Sequence, residues 1–170
     1  DPGTLIDDAE AEAPSVEIVT GLGVAALEVF EQDMVGVKGY DHAILEVLTR
    51  HKVRIVSKAT NANTITHYLD APLKAIRRVE RDVQQAFPNA RIKINRMALV
   101  SVIGRDLAGL NVTEHGLTAL RDGGVKTLAV QHLPGSVDVQ YMVAQDQEDE
   151  AIRLLHKQFV ETENAQLKAA

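Results

Sequence analysis

The sequence contains no cysteine and no tryptophan, and aromatic residues make up only 4% of its 170 positions. Without thiols there is no disulfide, no zinc–thiolate centre and no thiol nucleophile. Apolar residues nevertheless reach 45%, so a core can be buried and must be mainly aliphatic. A basic excess is also missing: the net charge is -6, which argues against a general nucleic-acid or membrane-surface binder, since these need clustered Lys and Arg. No apolar run approaches the ~20 residues of a membrane span. The first residues are acidic, unlike the basic and then apolar start of a secretory leader. The expectations are a cytoplasmic protein with neither nucleic acid nor membrane as partner, and a length suited to one domain or two small ones.

What is present is an alternation of strand-like and helix-like segments between two polar ends. Residues 1–15 open on "DPGTLIDDAEAEAP", acidic, Ala-rich and bracketed by prolines, and read as a linker. Residues 163–170 read as a fraying tail. Between them "VEIVT" and "AALEVFEQD" are strand-like. "DHAILEVLTRH" reads as a helix, with Asp41 as its cap and Ile44, Leu45 and Leu48 on one face. "VRIVSKA" and "NTITHYL" alternate as strands around the turn-prone "TNAN". "APLKAIRRVERDVQQAF" is a second helix with Pro72 near its first turn and Leu73, Ile76, Val79 and Val83 in a stripe. Its run "AIRRVERD" reads as a solvated face with i,i+4 pairing. "ARIKINR" closes a β-α-β-β-α-β unit.

The same order then recurs through "MALVSVIGRD", "TEHGLTALRDGG", "VKTLAVQHL", "VDVQYMVA" and "QEDEAIRLLHKQFV". Identities recur with it: Asp33, Gly36 and His42 match Asp106, Gly109 and His115 at a constant spacing of 73. Such a period implies two copies of one supersecondary unit. The second copy lacks a closing strand, and "VEIVT" has no counterpart, so Val16–Thr20 is expected to fill the gap. The fold class is then α+β, with residues 24–95 as one module inserted in a second made of 16–23 plus 96–162.

"TGLGVAA" (20–26) also fits the G-x-G-x-x-A form of a dinucleotide loop. That loop needs a helix N-terminus directly after its glycines, to present free N–H groups to the pyrophosphate. "AALEVFEQD" alternates as a strand does, so the glycines are expected to form a turn between modules.

With these segments in order, the chain resembles the C-terminal regulatory region of the aspartate kinases, which carries two ACT domains. "DPGTLI" resembles the peptide that ends the kinase domain. "MVGVKGYDHAILEVLTRHKVRIVSKATNANTITHYLD" resembles the first regulatory module, and "LVSVIGRDLAGLNVTEHGLTALRDGGVKTLAVQHLPGSVDVQYMV" with Leu155-His156-Lys157-Gln158-Phe159 resembles the second. The resemblance covers about residues 1–162. It implies two ferredoxin-like modules, a homodimer through the first modules, and an end-product amino acid bound at their junction. No Lys-Phe-Gly-Gly motif occurs, so the fragment itself is expected to hold no cofactor and to catalyse nothing. A parent kinase domain would carry ATP, magnesium and aspartate.

By that resemblance the effector-binding residues are Met34, Gly36, Gly39, Tyr40 and Asp41 on one side. Ile55, Val56, Ser57, Thr60, Asn61 and Asn63 lie on the other. A loop with two glycines leading into a helix suits an amino-acid carboxylate. Lysine-sensitive members carry acids where this chain has Val56 and Ala62, and a Lys stands nearby at Lys58. A lysine ε-ammonium would meet no spare acid, so a small neutral effector such as threonine, or none, is more compatible. Some members serve specialised pathways such as ectoine synthesis. Plainer roles stand beside these: Asp41 as a helix cap, Met34 as core, Asp33 and Asp106 as turn formers. His42 and His115 could share a packing role, and the six histidines show no metal-ligand spacing. Alternative functions are an ACT sensor attached to another enzyme, an RNA-binding module (whose stacking aromatics are missing from "VRIVSKA" and "KTLAVQHL") and a small dehydrogenase.

Overall fold

In the computed structural model residues 13–161 are described; the expected tail, and the expected linker up to residue 12, lie outside them. The elements run β1 (Ser15–Phe30), a 3₁₀ turn (Gln32–Met34), α1 (Tyr40–Arg50), β2 (Arg54–Thr60), β3 (Thr64–Asp70), α2 (Leu73–Ala86) and β4 (Arg91–Arg105). They continue with α3 (Val112–Asp122), β5 (Thr127–Gln131), β6 (Asp138–Ala144) and α4 (Glu148–His156), which a wider helical turn (Lys157–Glu161) extends. This is a mixed α/β fold with antiparallel pairing.

The chain divides into two compact units. The first holds residues 22–99 with 144–146, and its strands lie in the order β2-β3-β1-β4. β3 pairs antiparallel with β1 on one side (Leu27 opposite His67) and with β2 on the other (Lys58 opposite His67). Most of the stripes read from sequence form its core: Ile44 and Leu48 of α1, joined by Val47, and Ile76, Val79 and Val83 of α2 meet Leu27, Val29, Ile65 and Leu69 of the sheet, whereas Leu45 is only partly buried and Leu73, expected in the stripe, is exposed. The second unit holds residues 13–21, 100–143 and 147–161, with strands in the order β5-β6-β4-β1. Val100, Val102, Leu107, Leu120, Val139, Tyr141 and Leu155 are fully buried or nearly so there.

Four expectations need correction. The glycines of "TGLG" make no turn, because β1 is one strand of 16 residues running through them. Gly21 is there for close approach: a Cβ would lie 2.7 Å from Glu148 Oε1 and 2.8 Å from Ile152 Cδ1. Since the strand continues to Phe30, no helix N-terminus follows the glycines and the phosphate-loop reading falls. "ARIKINR" and "MALVSVIGRD" are likewise one strand, β4. Third, the identities spaced by 73 do not carry into the helices. α1 and α3 begin at Tyr40 and Val112 and end at Arg50 and Asp122, 72 apart at both ends. His42 therefore shares its helical position with Glu114, not with His115. Fourth, Asp82 in the run expected to be a solvated face is mostly buried and bonds His51 Nε2 at 2.7 Å.

Candidate functional site

Within the unit of residues 22–99, the segment from Glu31 to Asp41 brings backbone and side chains to one end of β2 and β3. Met34 is buried in the core and anchors the loop. Glu31 N–H donates to Asn63 O and Val37 N–H to Met34 O, both at 3.1 Å. Gly36 and Gly39 have φ of 77° and 96°, a region that side chains disfavour. Gly39 is the residue that precedes α1, and no side chain caps the helix. The expectation that Asp41 caps α1 is thus corrected: Asp41 lies inside the first turn, and its Oδ2 accepts from Lys58 Nζ at 2.5 Å. Tyr40 donates its hydroxyl to Glu31 Oε2 at 2.7 Å and stacks on Phe87 with ring centres 4.6 Å apart. The Glu31 carboxylate on that hydroxyl pushes the phenol above its ordinary pKa, with partial desolvation adding to it.

Across from the loop, Asn61 turns the chain between β2 and β3 by accepting at Oδ1 from the N–H groups of Asn63 (3.2 Å) and Thr64 (2.9 Å). A bulge at Val56 shifts the register of β2 against β3. Beyond it Lys58 and Thr60 stand opposite His67 and Ile65, both buried.

These elements line an open cavity of about 270 Å³. Of the residues expected at a site, Met34, Gly39, Tyr40, Asp41, Thr60 and Asn61 line it. Gly36, Ile55, Val56, Ser57 and Asn63 do not, although Asn63 bonds the loop through its carbonyl. Lys58 and Ala62, which the sequence placed beside the site without counting them as effector contacts, line it too, as do Val37 and Ile65, which were not expected there.

Behind the cavity lies a group the sequence did not single out. His67 is fully buried, and neither ring nitrogen has a hydrogen-bond partner. Its Nε2 is 3.6 Å from Asp41 Oδ1, itself buried and without a hydrogen bond. Burial lowers the His67 pKa to about 4, the Asp41 carboxylate opposing this and the Lys58 ammonium adding to it, so the ring is neutral at pH 7.

The other unit has larger depressions, of about 700 Å³ beside α3 and about 460 Å³ at its start. The larger is lined mainly by exposed side chains such as Glu114, Thr118, Arg121 and Lys126, and no unpartnered buried side chain stands at either. Among the described residues no cluster of three or more His, Asp or Glu could hold a metal, and no helix is long and apolar enough to cross a membrane.

No family model matches the chain. The aspartate kinase Ask_Ect of Stutzerimonas stutzeri (strain A1501) is 37% identical over 164 residues, covering 95% of this chain and 34% of the relative, so the chain spans about a third of that protein's length. The solved aspartate kinase of Clostridium acetobutylicum, described as an allosteric enzyme, superposes with a TM-score of 0.77 at 16% identity, over 89% of this chain and 36% of that one. The regulatory subunit of aspartate kinase from Thermus flavus gives a TM-score of 0.71 at 13% identity, over 84% of this chain and 97% of that one. The two structures bear on fold; the first relative bears on descent. The chain is thus a relative of an aspartate kinase by sequence, and it shares its fold with a solved aspartate kinase and with a solved regulatory subunit of one.

Proposed function

We propose that the chain is the allosteric region of an aspartate kinase, built as two ferredoxin-like βαββαβ ACT modules with the module of residues 24–95 inserted in the other. It dimerises through that inserted module and senses a small amino acid. The observation behind this reading is the sequence match to a third of one aspartate kinase, coupled with a fold that nearly fills a free-standing regulatory subunit. ATP, magnesium and aspartate belong to the remaining part of the parent protein.

The effector's place is the cavity between the loop and the β2–β3 turn. Its carboxylate would take the free N–H groups where α1 begins, with glycine at 39 leaving the backbone bare. Asp41 and Lys58 already neutralise each other there, so no acid is left over for a cationic side chain. A neutral amino acid, threonine before lysine, fits this balance.

Calorimetric titration of the chain with L-threonine, L-methionine, L-lysine and ectoine tests the reading, with sedimentation velocity beside it. Saturable binding of a neutral amino acid to a dimer is expected. A monomer that binds none of the four would overturn it.

A further inference from the structure

The cavity holds a cation that belongs to the chain. Lys58 reaches from β2 to Asp41 in the first turn of α1, and both side chains line the same space. They are about one third exposed, 34% and 41%, which for an ordinary surface pair would imply little. Three features separate this pair from such a contact. Asp41 is bound through Oδ2 alone, while its Oδ1 is buried and aimed at His67 without a hydrogen bond. His67 is fully buried and unpartnered on both nitrogens, an expensive arrangement unless the neighbouring charge fixes it. And the other unit, of the same element order, has no such charges: 72 residues on, Asp41 is replaced by Thr113 and Lys58 by Val130, opposite Tyr141. There Thr113 Oγ1 simply meets His132 Nδ1 at 3.1 Å. The charge pair is thus not a demand of the fold.

We propose that Lys58 is a tethered ligand: its ammonium occupies, from within the chain, the cation position beside Asp41, and holds the start of α1 against β2 as a bound primary amine would. This rests on reading the cavity as the effector site. A tethered group acts at an effective concentration in the millimolar range, so a free amine of modest affinity does not displace it. The cation position alone is held filled at all times, which leaves the rest of the cavity to a neutral effector and shuts out amino acids with a cationic side chain by occupancy as well as by charge.

The test is chemical rescue in the 170-residue chain. Lys58→Ala removes three carbons and the nitrogen, a fragment the size of propylammonium. Thermal unfolding of wild type and Lys58→Ala is followed against propylammonium chloride, with tetramethylammonium chloride, which cannot donate a hydrogen bond, as the salt control. The expected result is a saturable rise in melting temperature for Lys58→Ala at tens of millimolar propylammonium, at least tenfold more sensitive than wild type. Asp41→Asn added to Lys58→Ala should abolish it. Lys58→Met, whose uncharged stem still fills the space, should fold and show no rescue. Equal responses in wild type and Lys58→Ala, or no response in a Lys58→Ala chain that is folded by circular dichroism, overturn the tethered ligand. Threonine binding to wild type without amine rescue defeats this inference alone. Amine rescue without binding of any amino acid supports it and removes the effector reading.

Discussion

His67 and Tyr141 hold the same position in the two units, on β3 and β6, each facing the first turn of the helix that packs on its sheet. Each stands opposite the corresponding residue of the edge strand, Lys58 and Val130. Tyr141 is fully buried and donates its hydroxyl to Val112 O at 2.6 Å. Burial raises its phenol well above the ordinary range, so it stays a neutral donor. His67 is as deeply buried and bonds nothing. The helices differ to match. Gly116 leaves room for the tyrosine ring, and 72 residues earlier the same helical position holds Ile44, a fully buried side chain. One unit uses the position for scaffolding. The other leaves a polar group behind a cavity, and local rules are broken most often at functional places.

The sharpest break in this comparison is Gly116→Ala. A Cβ there would lie 2.1 Å from Tyr141 Oη and 2.6 Å from Cζ, and the ring is fully enclosed. Alanine is the better helix former by about 1 kcal/mol, but overpacking a closed core costs more. A net loss of about 3 kcal/mol is expected from denaturant unfolding. Ile44→Ala, at the matching place, removes volume instead of adding it. It should cost about as much through a cavity, which is the opposite fault at the same position.

Acid separates the units next. The folded pKa of His67 is about 4, below the ordinary value of about 6.5. Between these values the unfolded chain takes up a proton that the folded chain refuses, so stability falls as pH drops from about 6.5 to about 4, and the loss is complete below that. The size is on the order of 3 kcal/mol. Unfolding midpoints across this range should lose that step in His67→Leu and keep it in Tyr141→Phe, whose phenol does not titrate there. Equal slopes in the two variants would mean that His67 is not the group responsible.

How much of this was legible beforehand depends on what set each feature. Helices and strands written in side-chain periodicity could be read: Ile44 and Leu48, Ile76, Val79 and Val83 are all buried as their spacing implies. Strand continuity through Gly21 and Gly23 could not be read, because glycine interrupts alternation without interrupting backbone pairing. The reason for Gly21 is a pair of side chains more than 120 positions away. At the site, the loop and Asn61 were marked by turn chemistry. Lys58 could be placed near the site but its facing could not be read: the bulge at Val56 reverses the facing of everything after it, so Lys58 and Thr60, not Ser57 and Ala59, stand with His67 and Ile65. A bulge leaves no mark in a β-branched run, yet the same device sits at Leu128 in β5. His67 reads as one more polar position in an alternating strand.

Removing the polar atoms should then show opposite worth. Tyr141→Phe deletes the hydroxyl and leaves the Val112 carbonyl without that donor, at a cost of about 1 to 2 kcal/mol. His67→Leu keeps the volume and deletes two unpartnered nitrogens. At pH 7 it should be neutral or stabilising by about 1 kcal/mol. If both variants lose the same stability, the pairing difference between the units carries no energetic weight.

The smallest difference is at the ends of α1 and α3. Lys52 and Gly124 follow the two helices at equivalent places, with φ of 53° and 78°. The following N–H groups close the same bonds, Val53 to Leu48 O at 3.0 Å and Val125 to Leu120 O at 2.8 Å. A left-handed residue ending a helix is usually glycine, because a Cβ is strained there. Glycine also loosens the unfolded chain, which offsets part of the gain. The strain term is the larger, so Lys52→Gly should stabilise by about 0.5 kcal/mol, and Gly124→Lys should cost about 1 kcal/mol. The asymmetry follows from φ, since 78° lies further from the left-handed minimum near 57° than 53° does. Equal and opposite shifts in unfolding midpoint would mean that the backbone relaxes fully at both ends and that the two helix termini are energetically one design.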